Sequence, residues 1–522
     1  MFAATFFTDL ASAWARSQDT FWPQTWLFLS LTLRGLGLAL LIGIPAGMVL
    51  SRLPRLAAPV IAALGLLQTV PSLVLLGLLI PVLHLGQTPA VFAAVVYSLF
   101  PIVMNTCVGI AQVSPAIRDA ARGMGMTRGQ LLWNVELPLA LPVMLAGIRT
   151  GAVYASGVIV ICTFIGAGGL GDYIANGMSR SDNGLIFLGA IPILILTLLL
   201  FCSLGGLERL ARTNSSLGMS LGGGLIVILS TYAVYEVAHR ALQPRRTHVI
   251  VGAKDFTEGQ ILAEIVKQMI EAHTDVRADI MSNLGTSVIF KALKNDDIDL
   301  YPEYTGNLLT SKEALDMPVP ADKSAITRIV REEIALRHGL VLLETFGLNN
   351  TYAPCVTRET ATRHRLQKIS DLRRTPQLRV VIDLSFLTRP DGWQGLVEKY
   401  ELRFDKPPVQ VNPNLIYKAL EQKDTDVVIG FATDWQIEKL DLVVLEDDRG
   451  FFPSYHGAPL ARESLLRRHP EIRAALDRLG GKIDDQAMRR LNYQAAVERR
   501  SEAEVARAFL LEKGLLNREK TP

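Results

Sequence analysis

Residues 118–138 read RDAARGMGMTRGQLLWNVELP, a polar island between two long apolar runs, and the fold of the first half of the chain follows from it. Asp119 and Arg122 lie three apart, a spacing at which an acid and a base can pair along one helix face. Ala120 and Ala121 leave a smooth helix surface that another chain can approach closely. Gly125 permits a tight turn or close contact, and Pro138 suits the start of a following helix.

Crossing a bilayer takes roughly 20 apolar residues. Runs of that kind lie at about 26–50, 57–82 and 89–113 before the island and at 139–167, 185–207 and 221–238 after it, so six spans are expected. Arginine placement orients them. The first, third and fifth connections hold Arg52, Arg55, Arg118, Arg122, Arg128, Arg209 and Arg212, against only Arg180 in the second and fourth, which puts the island on the cytoplasmic side. An even number of spans starts and ends outside, so residues 1–24 form an outer segment and everything after Arg240 is exported by the last span. Arg240, Arg245 and Arg246 run against the trend and are outvoted by the inner loops. The first residues mix Asp9, Arg16, Asp19 and aromatics, unlike a cleavable signal.

Within the spans, Gly35, Gly37, Gly43 and Gly47 and the run Gly222, Gly223, Gly224 suit close helix packing. Arg34 and Arg149 are costly against lipid and are expected to face the bundle or its cytoplasmic mouth. Pro71, Pro81, Pro101 and Pro142 interrupt or flank spans, with packing the preferred reading over gating. The glycine-rich 166–172, GAGGLGD, follows a span and precedes no clear βαβ helix, so it reads as an outer turn and not a nucleotide site.

The totals of 522 residues, 49% hydrophobic, 20% charged and net charge +3, argue against nucleic-acid binding and disorder, yet they average two unlike halves. Through Arg240 there are 12 Arg, no Lys and 8 acids; the rest carries 41 basic and 42 acidic residues. The first half is a membrane region at 25–240 and the second, 247–522, is soluble. Cys107, Cys162, Cys202 and Cys355 show neither zinc spacing nor a disulfide framework. From about residue 247, short Val/Ile-rich strands alternate with amphipathic helices, which predicts an α/β domain with parallel sheet. A second unit of the same kind starts near Thr351, so two lobes are expected, lobe I at about 247–350 and 452–522 and lobe II at about 351–451.

With Asp119 in place of the usual Glu, residues 118–138 resemble the EAA loop of bacterial ABC importer permeases. That resemblance implies a short helix, a turn and a second helix docking into a groove on a separate cytoplasmic ATPase, with Asp119, Ala120, Ala121 and Gly125 as coupling residues. The soluble half resembles the osmoprotectant-binding proteins of importers for glycine betaine, choline and carnitine, through Gly252–Glu258 (GAKDFTE), Leu300–Gly306 (LYPEYTG), Asn350–Ala353 (NTYA), Phe386–Gly392 (FLTRPDG) with Leu396, and Gly450–Pro459 (GFFPSYHGAP). Together the halves resemble the fused permease and binding-protein subunits of that family, among which ergothioneine importers also belong.

The resemblance implies a type II periplasmic-type binding fold that closes by a hinge, and an aromatic cage for a trimethylammonium group at Tyr304, Tyr352, Phe431 and Tyr455. Departures lie at the polar end of that pocket. Gly259 and Asn307 stand where relatives place Gln and Thr, Phe431 stands where Tyr is usual, and Trp435 is unusual. Asn307 suits a carboxylate or a ring, and Arg389 a carboxylate. Glu303 is expected to serve packing or a hinge hydrogen bond. No Ser/His/Asp set, metal-spaced histidines or P-loop supports an enzyme or a cofactor. A membrane-anchored receptor is the alternative class, but it needs a cytoplasmic signalling module, and the inner loops hold nothing longer than the coupling segment. The expected assembly is a homodimer of this chain in the bacterial inner membrane with two copies of an ATPase and a small quaternary-ammonium ligand.

Overall fold

A computed structural model of the chain describes residues 2–516 apart from 181, 214–215, 243–247, 321, 384–385, 388–391 and 412–415. The chain divides into two compact units, Met1–Ala175 with Asn183–Arg245, and Asn176–Asp182 with Arg246–Pro522.

The first unit is helical: α1 (Phe2–Leu50), α2 (Pro54–Leu67), α3 (Ser72–Leu83), α4 (Gln87–Ala111), α5 (Pro115–Gly123), α6 (Arg128–Leu131), α7 (Leu137–Ile161), α8 (Gly171–Arg180), α9 (Asn183–Arg212) and α10 (Ser216–Leu242). Among the described residues, five helices are long and apolar enough to cross a membrane, and a bent pair, α2 with α3, makes a sixth if counted as one span. The second expected span, 57–82, is therefore not a straight helix. It breaks with a bend of 95° between Leu67 and Ser72. Pro71 has no N–H to donate and disfavours helical backbone at the residue before it. The amide of Gln68 donates to the Tyr97 carbonyl at 2.7 Å and the Tyr97 hydroxyl donates to the Val70 carbonyl, so polar groups at the break find partners on α4.

Residues 2–24 are not a separate outer piece either: α1 runs through them and Pro23 for 49 residues. Packing holds the extension, with the Thr20 and Tyr173 hydroxyls 2.8 Å apart and the Phe6 and Phe187 rings 4.8 Å apart. At the bundle centre, α4 is buried on most of its faces between α1 and α7. Close approach explains the glycines there: a Cβ on Gly47 would lie 2.6 Å from Thr106, and one on Gly147 2.6 Å from the Pro101 carbonyl. Gly223 and Gly224 have no such neighbour within 4 Å, so only Gly222 of that run meets another helix among the described residues.

Both intramembrane arginines face the bundle. Arg34 is buried and donates to the Ser30 hydroxyl at 3.0 Å. Arg149 pairs with Glu208 at 3.1 Å and lies over the Phe201 ring at 4.7 Å. The 166–172 stretch is a turn, with Gly166, Gly168 and Gly169 at positive φ and the Gly169 N–H donating to the Gln24 side chain at 2.6 Å.

The second unit contains two five-stranded sheets. Its strands are β1 (Val249–Lys254), β2 (Ala278–Leu284), β3 (Leu300–Tyr304), β4 (Leu340–Leu342), β5 (Tyr352–Thr357), β6 (Val380–Asp383), β7 (Val409–Val411), β8 (Val427–Phe431), β9 (Leu442–Val444) and β10 (Gly457–Arg462). The sheet orders are β2-β1-β3-β10-β4 and β7-β6-β8-β5-β9. In each, β-α-β connections make the first three strands parallel, and the strand that has just crossed from the other sheet, β10 or β5, inserts antiparallel. The chain crosses between sheets twice, at 343–351 and at 445–456. Leu262, Ile265, Val266 and Met269 of α11 (Thr257–His273) are wholly buried and pack the first sheet into the core.

Candidate functional site

Strand ends and crossovers bring the sequence candidates together. Tyr304 ends β3, Tyr352 opens β5, Phe431 ends β8, and Tyr455 precedes β10. Tyr352 and Phe431 sit directly opposite in the β5/β8 ladder, with ring centroids 5.0 Å apart. The crossovers are themselves laced: the Tyr455 N–H donates to the Asn349 side chain at 2.7 Å, and the Asn350 N–H donates to the Tyr455 carbonyl at 3.1 Å.

Tyr352 is the hub of the cluster. Its ring centroid lies 4.5 Å from Phe386, 5.8 Å from Phe452 and 5.9 Å from Tyr455, the last edge to face. Tyr455 presses on the helix after β3, where a Cβ on Gly306 would stand 2.5 Å from its ring; only a glycine admits that approach. Phe386 and Phe452, absent from the sequence candidates, thus join the cluster. Both stood inside the motifs FLTRPDG and GFFPSYHGAP, where the only available signal was aromatic character.

Tyr304 is held at both its hydroxyl and its ring face. Its hydroxyl donates to Glu258 at 2.6 Å, and the Lys254 ammonium stands 4.9 Å from its ring centroid. Lys254 is buried and ion-paired to buried Glu303, which also accepts from the Tyr301 hydroxyl at 2.9 Å and the Tyr304 N–H at 2.7 Å. Glu303 therefore anchors a buried pair, and Asn307 donates to it weakly, at 3.4 Å. Gly259 packs closely on β1, since a Cβ there would lie 2.8 Å from the Lys254 Cβ. Gly259→Gln is expected to destabilise the second unit by about 1–3 kcal/mol through overpacking, read as a lowered thermal midpoint; an unchanged midpoint would show that Lys254 can move aside.

Glu258 lies between the end of β3, the first crossover and the residues just after β8. Besides Tyr304 it accepts from Asn350 at 2.9 Å, from Asn492 at 3.1 Å and from the Thr433 side chain. Burial raises its pKa while these donors lower it. Asp434 accepts the Tyr417 hydroxyl at 2.6 Å and the Phe431 N–H at 2.8 Å on the same oxygen. Burial pushes its pKa up to about 6, with Glu258 adding to the shift. Nothing in the sequence pattern pointed to Asn492 or Thr433. Arg389 lies outside the described residues.

The segment 118–138 folds as α5, a turn at Gly125 with φ +82°, then α6, whose Thr127 and Gln130 cap each other reciprocally, then a π-helical turn at Leu132–Glu136 leading into α7. Asp119 and Arg122 pair at 3.3 Å, as their spacing suggests. Ala120 is exposed, but Ala121 is only 2% exposed and packs inside the chain, so it presents no surface to a partner. The exposed apolar side chains are instead Met124 and Trp133 within the segment and Ile117 just before it on α5. Glu136 is fully buried and ion-paired to Arg52 and, at 2.9 Å, to Arg118; it ties the first inner connection and α5 to the root of α7.

Comparison with known proteins covers both units. Residues 247–512 match the family described as substrate binding domain of ABC-type glycine betaine transport system, and residues 39–248 match binding-protein-dependent transport system inner membrane component. The chain is 30% identical over 492 residues to the ergothioneine transport permease/ergothioneine binding protein EgtU of Helicobacter pylori (strain G27), covering 92% of this chain and 88% of that one. Its second unit is 33% identical over 268 residues to the carnitine transport binding protein OpuCC of Listeria monocytogenes serotype 1/2a (strain 10403S), covering 50% of this chain and 85% of that protein. Its first unit is 44% identical over 185 residues to the carnitine transport permease protein OpuCB of Listeria monocytogenes, covering 35% of this chain and 85% of that protein.

Proposed function

We propose, from the premise that the chain belongs to the ABC importers of the osmoprotectant family in which permease and substrate-binding domain are fused, that it captures and imports a small trimethylammonium compound. The observation that carries this reading is the convergence of Tyr352, Phe431 and Tyr455, with Phe386 and Phe452, where the two crossovers meet. A trimethylammonium group is too bulky and diffuse to hydrogen-bond, and the negative faces of aromatic rings are what hold it. Tyr304 is the fourth proposed cage residue, and Asn307 and Arg389 are proposed for the ligand's polar end.

The fold assigned to the second unit is the type II binding protein, its lobes built on the two sheets and moving about the crossovers. Glycine betaine, choline, carnitine and ergothioneine are the candidate ligands. Names of relatives support two of them: ergothioneine for the fused Helicobacter protein and carnitine for the Listeria binding protein. Calorimetry of the full chain in nanodiscs against all four identifies the ligand; heat from none of them would end the trimethylammonium reading.

Import of this type is energised by a separate cytoplasmic ATPase. In the proposed assembly two copies of this chain meet two ATPase copies, each docked on one 118–138 segment through Asp119, Ala120, Gly125 and the exposed Met124 and Trp133, with the adjoining Ile117. Gly125 has a left-handed backbone and open space within 4 Å of where a Cβ would stand. Gly125→Asn keeps that backbone accessible and is expected to retain uptake. Gly125→Trp is expected to abolish uptake while ligand binding persists; normal uptake by a normally expressed Gly125→Trp chain would remove the segment from the coupling role.

A further inference from the structure

Two carboxylates stand directly behind the aromatic cluster, each fastened to one of its members. Glu258, only 4% exposed, holds the Tyr304 hydroxyl, and Asp434 holds the Phe431 N–H. Their remaining named partners are neutral: Asn350, Asn492 and Thr433 for Glu258, and Tyr417 for Asp434. Among the described residues neither has an ion-pair partner. Lys254, which stands 4.9 Å from the Tyr304 ring centroid, is already paired with Glu303. Two carboxylates thus lie in a poorly solvated wall without a cationic partner among the described residues, and ionising either there costs folding free energy unless something cationic arrives. Burial is the main cause of the raised Asp434 pKa, and the nearby Glu258 adds to it.

From this arrangement we infer that Glu258 and Asp434 are the counter-charges of the cage, selecting a cationic head group over a neutral one of the same shape without touching it. The rings supply shape and a negative face; the carboxylates supply net charge through them. Donation of the Tyr304 hydroxyl to Glu258 also enriches the ring in electron density, strengthening the face that meets the cation. In a medium of intermediate dielectric a unit charge within several ångströms changes the affinity for a monovalent cation by about tenfold. Glu258 and Asp434 are positioning residues for the ligand's charge, and the inference rests on the trimethylammonium reading above.

The test separates charge from shape. Choline and glycine betaine have neutral-headed isosteres, 3,3-dimethylbutan-1-ol and 3,3-dimethylbutanoate, in which carbon replaces nitrogen. Binding of each pair to the full chain in nanodiscs is measured for wild type, Glu258→Gln and Asp434→Asn, with thermal unfolding recorded in parallel. Asp434→Asn is the cleaner substitution, because Tyr417 and Phe431 donate to one oxygen that an amide carbonyl can replace. Each variant is expected to bind the cation about tenfold more weakly and the isostere within about twofold of wild type. A parallel fall for both members of a pair shows a merely structural role and overturns the inference, as does no change in either. If Glu258→Gln does not fold, Asp434→Asn decides alone. A wild-type chain that binds none of choline, glycine betaine, carnitine and ergothioneine overturns the cage reading and the inference with it, whereas binding with an unchanged cation-to-isostere ratio in the variants overturns the inference only.

Discussion

Tyr352→Ala is expected to weaken ligand binding by well over tenfold, the largest loss of any single cage substitution. Four rings lie within 6 Å of its centroid, so its removal takes away one cation-binding face and lets the others shift. A desolvated cation–π contact contributes about 2 kcal/mol, and each 1.4 kcal/mol is roughly tenfold in affinity. Tyr455→Ala and Tyr304→Ala are expected to lose over tenfold each. Phe replacements at these positions keep a ring and should cost less, although Tyr304→Phe also surrenders the hydrogen bond to Glu258. The tertiary-amine analogue of the ligand should bind worse than the trimethylated form. Wild-type affinity in a folded Tyr352→Ala chain, or indifference to methylation, would mean that the resemblance carried the fold without its specificity.

Glu136→Gln is expected to abolish uptake while leaving ligand affinity unchanged. The buried carboxylate is shared by Arg52 and Arg118, and its neutralisation leaves two guanidinium groups facing an amide that satisfies neither charge. Breaking a buried pair costs about 3–5 kcal/mol, and since the Arg52 side chain is 45% exposed, about 2–3 kcal/mol is the expected loss here. That loss falls where α5 and the first inner connection meet the root of α7, so the 118–138 segment loses its fixed attachment. Uptake and ligand binding measured on the same nanodisc preparation, with thermal unfolding alongside, check this; retained uptake would show that the segment couples without the Glu136 anchor.

The sequence by itself determined the broad organisation, because that rests on local and cumulative signals. Apolar run length and the arginine asymmetry gave the spans and their orientation, and the change of hydrophobic period near residue 247 marked the α/β half. The Asp119–Arg122 pair followed from helical spacing alone. Tertiary structure decided what depends on partners far away in the chain. The bend at Pro71 was signalled by the proline, but its angle depends on how α2, α3 and α4 pack, with Tyr97 of α4 taking up the polar groups at the break. Ala121 looked available to a partner until the chain's own packing buried it. Phe386 and Phe452 join Tyr352 only because two crossovers bring the ends of separate strands together. Glu258 was visible as a letter in GAKDFTE, yet its partners at Asn350, Thr433 and Asn492 are far apart in the chain. A buried charge is defined by what surrounds it, and only the folded chain sets those surroundings.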